Sequence, residues 1–191
     1  LPDFGAPRIE PVLDRNIYRE RLARLLSRMA DHGYDAVVVY GDREHMANIS
    51  WATGYDPRFE EALCIMVPGR TPTLLAGNEG YPYAETAQGI FERVLWQPLS
   101  LMGQPRDSYR PLEDLLRTAG LTTGMRIGLA GWKGFETDDG EFDPQWFETP
   151  HYLVETLRTF GLVTNAALLF MHPVTGLRAH YGHRRREGHR Q

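Results

Sequence analysis

The sequence predicts an α/β layer fold, a mixed β-sheet of about five strands flanked by helices. Three observations carry this prediction. From Asn16 an amphipathic helical pattern stops at Gly33 and passes at once into the β-branched run Tyr34-Asp-Ala-Val-Val-Val-Tyr40. Two apolar runs, Ala62 to Val67 and Thr71 to Ala76, meet across Pro68-Gly-Arg70 in the manner of hairpin strands. Met125-Arg-Ile-Gly-Leu-Ala130 is a further apolar run between two segments of helical pattern. Crossovers through helices build parallel neighbours and hairpins build antiparallel ones, so both in one chain make the sheet mixed.

Each element has its own local signal. In the first helix Leu22, Leu25, Leu26 and Met29 repeat at helical spacing, with Arg and Glu between them and Gly33 as the stop. The run ending at Tyr40 reads as a strand buried on both faces. A short helix is expected near Arg43 to Ser50, before Gly54 and Pro57 break the chain. After the hairpin, Tyr83 to Gln88 reads as helical and Phe91 to Gln97 as a strand. Pro111 in the first turn, Leu112, Leu115 and Leu116 on one face and Gly120 beyond the end define the next helix. Gly131 to Phe147, rich in Gly, Asp and aromatics, reads as a long loop, and helices over Pro150 to Thr159 and Ala166 to Met171 follow. The organisation is an extension over 1–15, one domain over 16–178 and a basic tail over 179–191.

Composition narrows the function. A chain of 191 residues with 42% hydrophobic content buries a sufficient core without a disulfide or metal staple. The net charge of −4 argues against a nucleic-acid-binding body. Residues 178–191 carry five Arg against one Glu, which leaves a net −8 on the remainder. The single cysteine, Cys64, lies mid-strand and reads as core filler, and its isolation makes a reducing cytoplasm the default compartment. No apolar stretch approaches the roughly 18 residues that span a bilayer, and Leu1-Pro-Asp-Phe lacks the features of a signal peptide. The expectation is therefore a chain with no membrane and no nucleic-acid partner. The start at Leu1 fits a processed or cut piece.

Chemical motifs are sparse. None of the four serines, Ser27, Ser50, Ser100 and Ser108, lies in a Gly-x-Ser-x-Gly elbow, which disfavours a serine triad. Gly128, Gly131 and Gly134 follow a strand, yet their spacing fits neither dinucleotide nor P-loop patterns, so a glycine turn is the better reading. Asp138, Asp139, Glu141 and Asp143 crowd one loop without the pattern of a calcium site. His45, His151 and His172 are scattered, and His180, His183 and His189 sit in the Arg-rich tail, so no metal centre assembles from local spacing.

One strip stands out: Asn48-Ile-Ser-Trp51-Ala-Thr-Gly54-Tyr55-Asp-Pro-Arg58-Phe59-Glu60, in a loop between a helix and a strand. Loops of this kind carry function. The alternative is that Trp51 and Phe59 merely cap the core.

The helix end Met29-Ala-Asp-His-Gly33, the strand Asp35-Ala-Val-Val-Val39, the turn Asn48 to Gly54 in the manner of N-x-x-Y-x-T-G, the apolar hairpin and Gly124-Met-Arg-Ile-Gly128 occur in a telling order. Together they resemble the N-terminal domain of creatinase, prolidase and aminopeptidase P, over about Asn16 to Arg178. Trp51 stands where that family often has Tyr. The resemblance implies a ribonuclease H-like mixed-sheet unit. Catalysis in the family belongs to a following pita-bread domain with two Asp, a His and two Glu on two divalent metal ions, Mn, Co or Zn, or with a metal-free His-centred site in creatinase. Nothing in this chain matches that domain, so no catalytic residue, metal ligand or cofactor is carried over. What the resemblance implies is a non-catalytic accessory domain that supports homodimer contacts and lets a loop limit substrate access. Trp51, Tyr55, Arg58, Phe59 and Glu60 form the matching partner-facing loop, with Trp51, Tyr55, Arg58 and Phe59 expected at or beside an exposed edge and Arg58 suited to a carboxylate. Three competing readings are a stand-alone binding module, an unrecognised small enzyme and a nucleic-acid binder acting through the Arg tail.

The tail from His180 reads as foreign to the fold and disordered or loosely packed. Twenty of the basic residues are Arg and only Lys133 is Lys, which fits GC-rich coding DNA. Dropping the first base of the His180 codon permits Thr-Thr-Asp-Thr-Asp-Asp-Glu or Thr-Thr-Asp-Thr-Asp-Glu-Glu, a polar helix start, so a frameshift and a vector-derived tail are the two explanations.

Overall fold

The N-terminal helix forms because Asp14 caps it. The Asp14 carboxylate accepts the backbone N–H groups of Asn16 at 2.7 Å and Ile17 at 3.3 Å, and α1 (Arg15–Asp31) runs from there with Tyr18, Leu25 and Met29 buried. In this computed structural model residues 13–179 are described. Of the expected extension over 1–15, residues 1–12, and of the expected tail over 179–191, residues 180–191 with His180, His183 and His189, lie outside the described residues.

After α1 come β1 (Ala36–Gly41), α2 (Ala47–Thr53), β2 (Ala62–Met66), β3 (Thr73–Ala76), α3 (Gly80–Tyr83) and β4 (Glu92–Leu95). The second half holds α4 (Leu112–Ala119), β5 (Met125–Ala130), α5 (His151–Arg158), β6 (Gly161–Asn165) and α6 (Ala167–Met171). The strands form one sheet in the order β4-β3-β2-β1-β5-β6. β2 runs antiparallel to both β1 and β3, and the other three pairings are parallel, so the sheet is mixed as expected. β1 is buried along its whole length, and its alternating side chains divide the core. Val37 and Val39 face α1, α2 and α6 together with Leu25, Ile49, Cys64 and Phe170. Ala36, Val38 and Tyr40 face α4 and α5 together with Leu115, Leu116, Leu153 and Leu157. Cys64 sits fully buried mid-strand, and burial pushes its thiol up to about 12.

Three elements depart from the local reading. The sheet has a sixth strand: among the described residues β6 lies at the edge and pairs with β5 alone, and it starts at a glycine, so only Val163, Thr164 and Asn165 turn inward while Leu162 points to solvent. The helix expected near Arg43 begins four residues later. The Asp42 carboxylate takes the N–H groups of Glu44 and His45 at 2.9 and 2.7 Å, and this Asx turn competes with the helix. α3 starts at Gly80 and gives way to a 3₁₀ turn over Ala84–Thr86, for a reason that lies in the candidate site.

Candidate functional site

The strip from Asn48 to Glu60, expected as a loop, starts inside α2, so Trp51 stands on that helix, and the turn that follows is held by three hydrogen bonds. Thr53 Oγ1 donates to the Ile49 carbonyl at 2.7 Å and accepts the N–H of Tyr55 at 3.1 Å, while Ser50 Oγ donates to the Tyr55 carbonyl at 2.8 Å. Gly54 ends the helix at φ +72°, a conformation that suits glycine, and a side chain there would press on the Tyr18 ring. Asn48, 2% exposed, ties the helix to the sheet: its Nδ2 donates to the Gly131 carbonyl at 2.6 Å and its Oδ1 accepts from Arg178 at 3.1 Å.

The five predicted site residues divide. Arg58 and Phe59 are exposed, at 61% for the Arg58 side chain and 49% for Phe59. Arg58 Nε lies 3.7 Å from Asp56 Oδ2, and Phe59 sets its ring against Tyr83 in an edge contact. Trp51 is half-buried, edge-on to Phe170, with the Arg21 guanidinium 5.3 Å from its ring. Tyr55 and Glu60 do not face outward. Tyr55 is 1% exposed in the core beneath α3, because its ring packs near Tyr83 and both ends of its backbone are held by the α2 hydroxyls. Burial, and then the nearby Glu60 charge, raises its phenol well above the ordinary range. Glu60 is 4% exposed: its Oε2 accepts the N–H groups of Glu79 and Gly80 at 3.1 and 3.0 Å, capping α3, and its buried Oε1 has no partner among the described residues. The expectation that Tyr55 lies at or beside an exposed edge with Trp51, Arg58 and Phe59 is corrected, and Glu60 in the same loop is buried as well, because backbone donors and apolar neighbours claim both from below.

A second grouping was not anticipated. Where β1 and β5 end side by side, Asp42, His45 and Trp132 meet, with Tyr40, Glu61 and Tyr152 beside them. His45 Nδ1 lies 3.0 and 3.1 Å from the two Asp42 carboxylate oxygens, and its ring stacks on Trp132 at 3.8 Å between centroids and 18° between planes. Burial raises the Asp42 carboxyl, yet the bonds from the His45 ring and from the N–H groups of His45 and Glu44 outweigh it and hold the group below its usual value. Burial pushes the Glu61 carboxyl up, against the lowering effect of Tyr40 and Tyr152. Among the described residues the His45 ring bonds only the Asp42 carboxylate, so the dyad has no hydroxyl or thiol to activate. The Asp42 and His45 spacing at the C-terminal end of a parallel strand, where open α/β sheets gather ligands, was the signal available in the sequence.

The glycine turn after β5 is filled from within. Glu148 Oε1 accepts the N–H groups of Trp132 and Lys133 at 2.6 and 2.7 Å, so these two donors hold an internal carboxylate. Among the described residues no group of three or more His, Cys, Asp or Glu is placed to hold a metal ion.

Solved structures share the fold. The prolidase from Thermococcus sibiricus matches with a TM-score of 0.54 and 15% identity, over 82% of this chain and 36% of that one. Dipeptidase PepE from Mycobacterium ulcerans matches at 0.52 and 12%, over 83% of this chain and 37% of that one. The aminopeptidase P from Streptococcus thermophilus matches at 0.49 and 16%, over 78% and 91%. The chain thus spans little more than a third of the prolidase and of PepE. No curated protein matches the chain. Residues 21–158, well over half of the sequence, match the Creatinase/Prolidase N-terminal domain, and the chain belongs to that family.

Proposed function

We propose that the chain is the non-catalytic N-terminal accessory domain of a proline-peptidase-like enzyme, an Xaa-Pro dipeptidase or aminopeptidase or a creatinase-like relative. In that enzyme it contributes to a homodimer and limits access to a separate pita-bread catalytic domain. The observation that carries this reading is the contrast within one loop: Tyr55 and Glu60 are anchored in the body while Arg58 and Phe59, between them, face solvent. A loop fixed at both ends is a rigid overhang. Its guanidinium suits bidentate contact with a carboxylate, and its ring narrows whatever cleft it covers. Family membership, and neighbours whose own chains extend well beyond the matched part, support the reading.

Hydrolysis in such an enzyme belongs to the catalytic domain, through two divalent metal ions, Mn, Co or Zn, or in a creatinase-like relative through a metal-free His-centred site. The described residues of this chain do not fit a metal centre of that kind, because they bring no three ligands together. The reading places the enzyme in the cytoplasm. No helix among the described residues is long and apolar enough to cross a membrane.

Sequencing the gene beyond the Arg178 codon tests the proposal. The expected result is a long coding stretch, in this or an alternative frame, bearing the two Asp, the His and the two Glu, or creatinase's counterpart; the absence of such a stretch in every frame overturns it. A second reading, a stand-alone small-molecule binding module, is favoured by one observation, the cavity bordered by Arg21, Trp51 and Arg178.

A further inference from the structure

An open cavity of about 430 Å³ lies between α1, α2 and the segment ending at Arg178. Two guanidiniums line it, and both are fixed in advance. Arg21 stands over the rings of Tyr18 and Trp51, 5.2 and 5.3 Å from their centroids, and its Nη1 donates to the Trp51 carbonyl at 3.0 Å. Arg178 Nη1 donates at 3.1 Å to Oδ1 of the buried Asn48, which is itself tied to the end of β5. Each guanidinium has five N–H donors and spends one of them on these bonds. Among the described residues neither is in an ion pair. Among the described residues the one carboxylate on the wall is Asp56, whose Oδ2 lies 3.7 Å from the outward-facing Arg58. Tyr18, Met46 and Trp51 make much of the remaining wall apolar or aromatic.

We propose that this cavity binds a small organic carboxylate, with the carboxylate on Arg21 and Arg178 and the apolar stem along Trp51 and Met46. The combination is specific. Two positive groups against one negative favour an anion, and planar guanidiniums match a carboxylate better than a point cation would. The volume falls in the range of small-molecule sites, and its walls are mostly apolar with a few convergent polar groups. Fixing the arginines beforehand removes side-chain ordering from the cost of binding. The inference goes beyond the accessory-domain reading and does not rest on it, since it concerns a ligand held by this chain alone.

Calorimetric titration of the 191-residue chain tests it, using 3-phenylpropionate, 3-phenylpropanol and inorganic phosphate at equal ionic strength. The acid is expected to bind saturably at one site. The alcohol is expected to be at least about tenfold weaker, because it forfeits the charge-assisted bonds, and phosphate likewise, because it has no apolar stem. Arg21→Gln is expected to weaken the acid about tenfold with an unchanged near-UV spectrum. Asp56→Asn, which removes the like charge, is expected to tighten it. The proposal is overturned if the acid does not bind, if the alcohol or phosphate equals it, or if folded Arg21→Gln binds it as tightly. Should Arg21→Gln fail to fold, Asp56→Asn decides: an affinity equal to or weaker than that of the unmodified chain overturns the proposal.

Discussion

Glu60 holds Gly80: its Oε2 accepts the Gly80 N–H at 3.0 Å across twenty residues of sequence, and the same oxygen takes the N–H of Glu79. The bond fixes the far end of the loop that displays Arg58 and Phe59, and it starts α3 where no local signal does. Gly77 is a glycine for the same reason, since a side chain there would overlap the Glu60 carboxylate.

Glu60→Ala therefore leaves two backbone donors in a site that is 4% exposed. The expected loss is about 2–4 kcal/mol in urea unfolding, because buried groups deprived of a charged partner are costly. Glu60→Gln, which keeps an acceptor but not the charge, should lose less. Equal stability of Glu60→Ala and the unmodified protein would contradict this account of the loop.

Gly54 presents the same logic in the backbone. At φ +72° with the Tyr18 ring against its Cα, Gly54→Ala combines strain with a clash, and about 1–3 kcal/mol of destabilisation is expected. Thermal unfolding measures it. Gly69→Ala is the control, at φ +79° with nothing within 4 Å of an added carbon, and should cost less than Gly54→Ala.

The two carboxyls beside Tyr40 predict opposite pH effects. Asp42 is held low in the fold, so its contribution is fully present above the unfolded value of about 3.9 and is lost as pH falls through the lower folded value. Glu61 is pushed up, so the folded protein binds the extra proton, and stability falls as pH rises from the unfolded value of about 4.3 through the folded one. Denaturation series across pH 2 to 7 should show Asp42→Asn flattening the acid limb and Glu61→Gln removing the decline above it. Parallel curves for all three proteins would contradict the assignment.

What the sequence made legible was whatever a local pattern causes. The β-branched run before Tyr40, the Pro111 start and Gly120 stop of α4, and the hairpin turning at Gly69 each follow from neighbours in the chain. β6 was hidden because an edge strand turns only part of its length inward, and Gly161 reads as a turn. The site was half legible for a related reason. Tyr55 and Phe59 are both aromatics in one loop that touch Tyr83, and nothing local distinguishes the buried one from the exposed one; the difference comes from Gly80, which leaves room for the Tyr55 hydroxyl beneath α3, and from the hydroxyls of α2 that hold the Tyr55 backbone. The stack of His45 on Trp132 joins residues 87 apart, so only the Asp42 and His45 spacing was readable.

Arg58 and Phe59 separate display from stability. Both are exposed, and their contacts are an ion pair at 3.7 Å and one ring edge, so Arg58→Ala and Phe59→Ala should each change unfolding free energy by no more than about 0.5 kcal/mol. In a gene product that carries both this domain and a catalytic one, the same changes should alter selectivity. Removing the ring and the guanidinium from an overhanging loop opens the cleft, so the rate on peptides longer than a dipeptide should rise relative to the rate on an Xaa-Pro dipeptide. The comparison uses kcat/KM for the two substrate lengths in one preparation, which cancels errors in active-site concentration. An unchanged ratio in the double variant, with the fold and the dipeptide rate intact, would remove this loop from any role in substrate access.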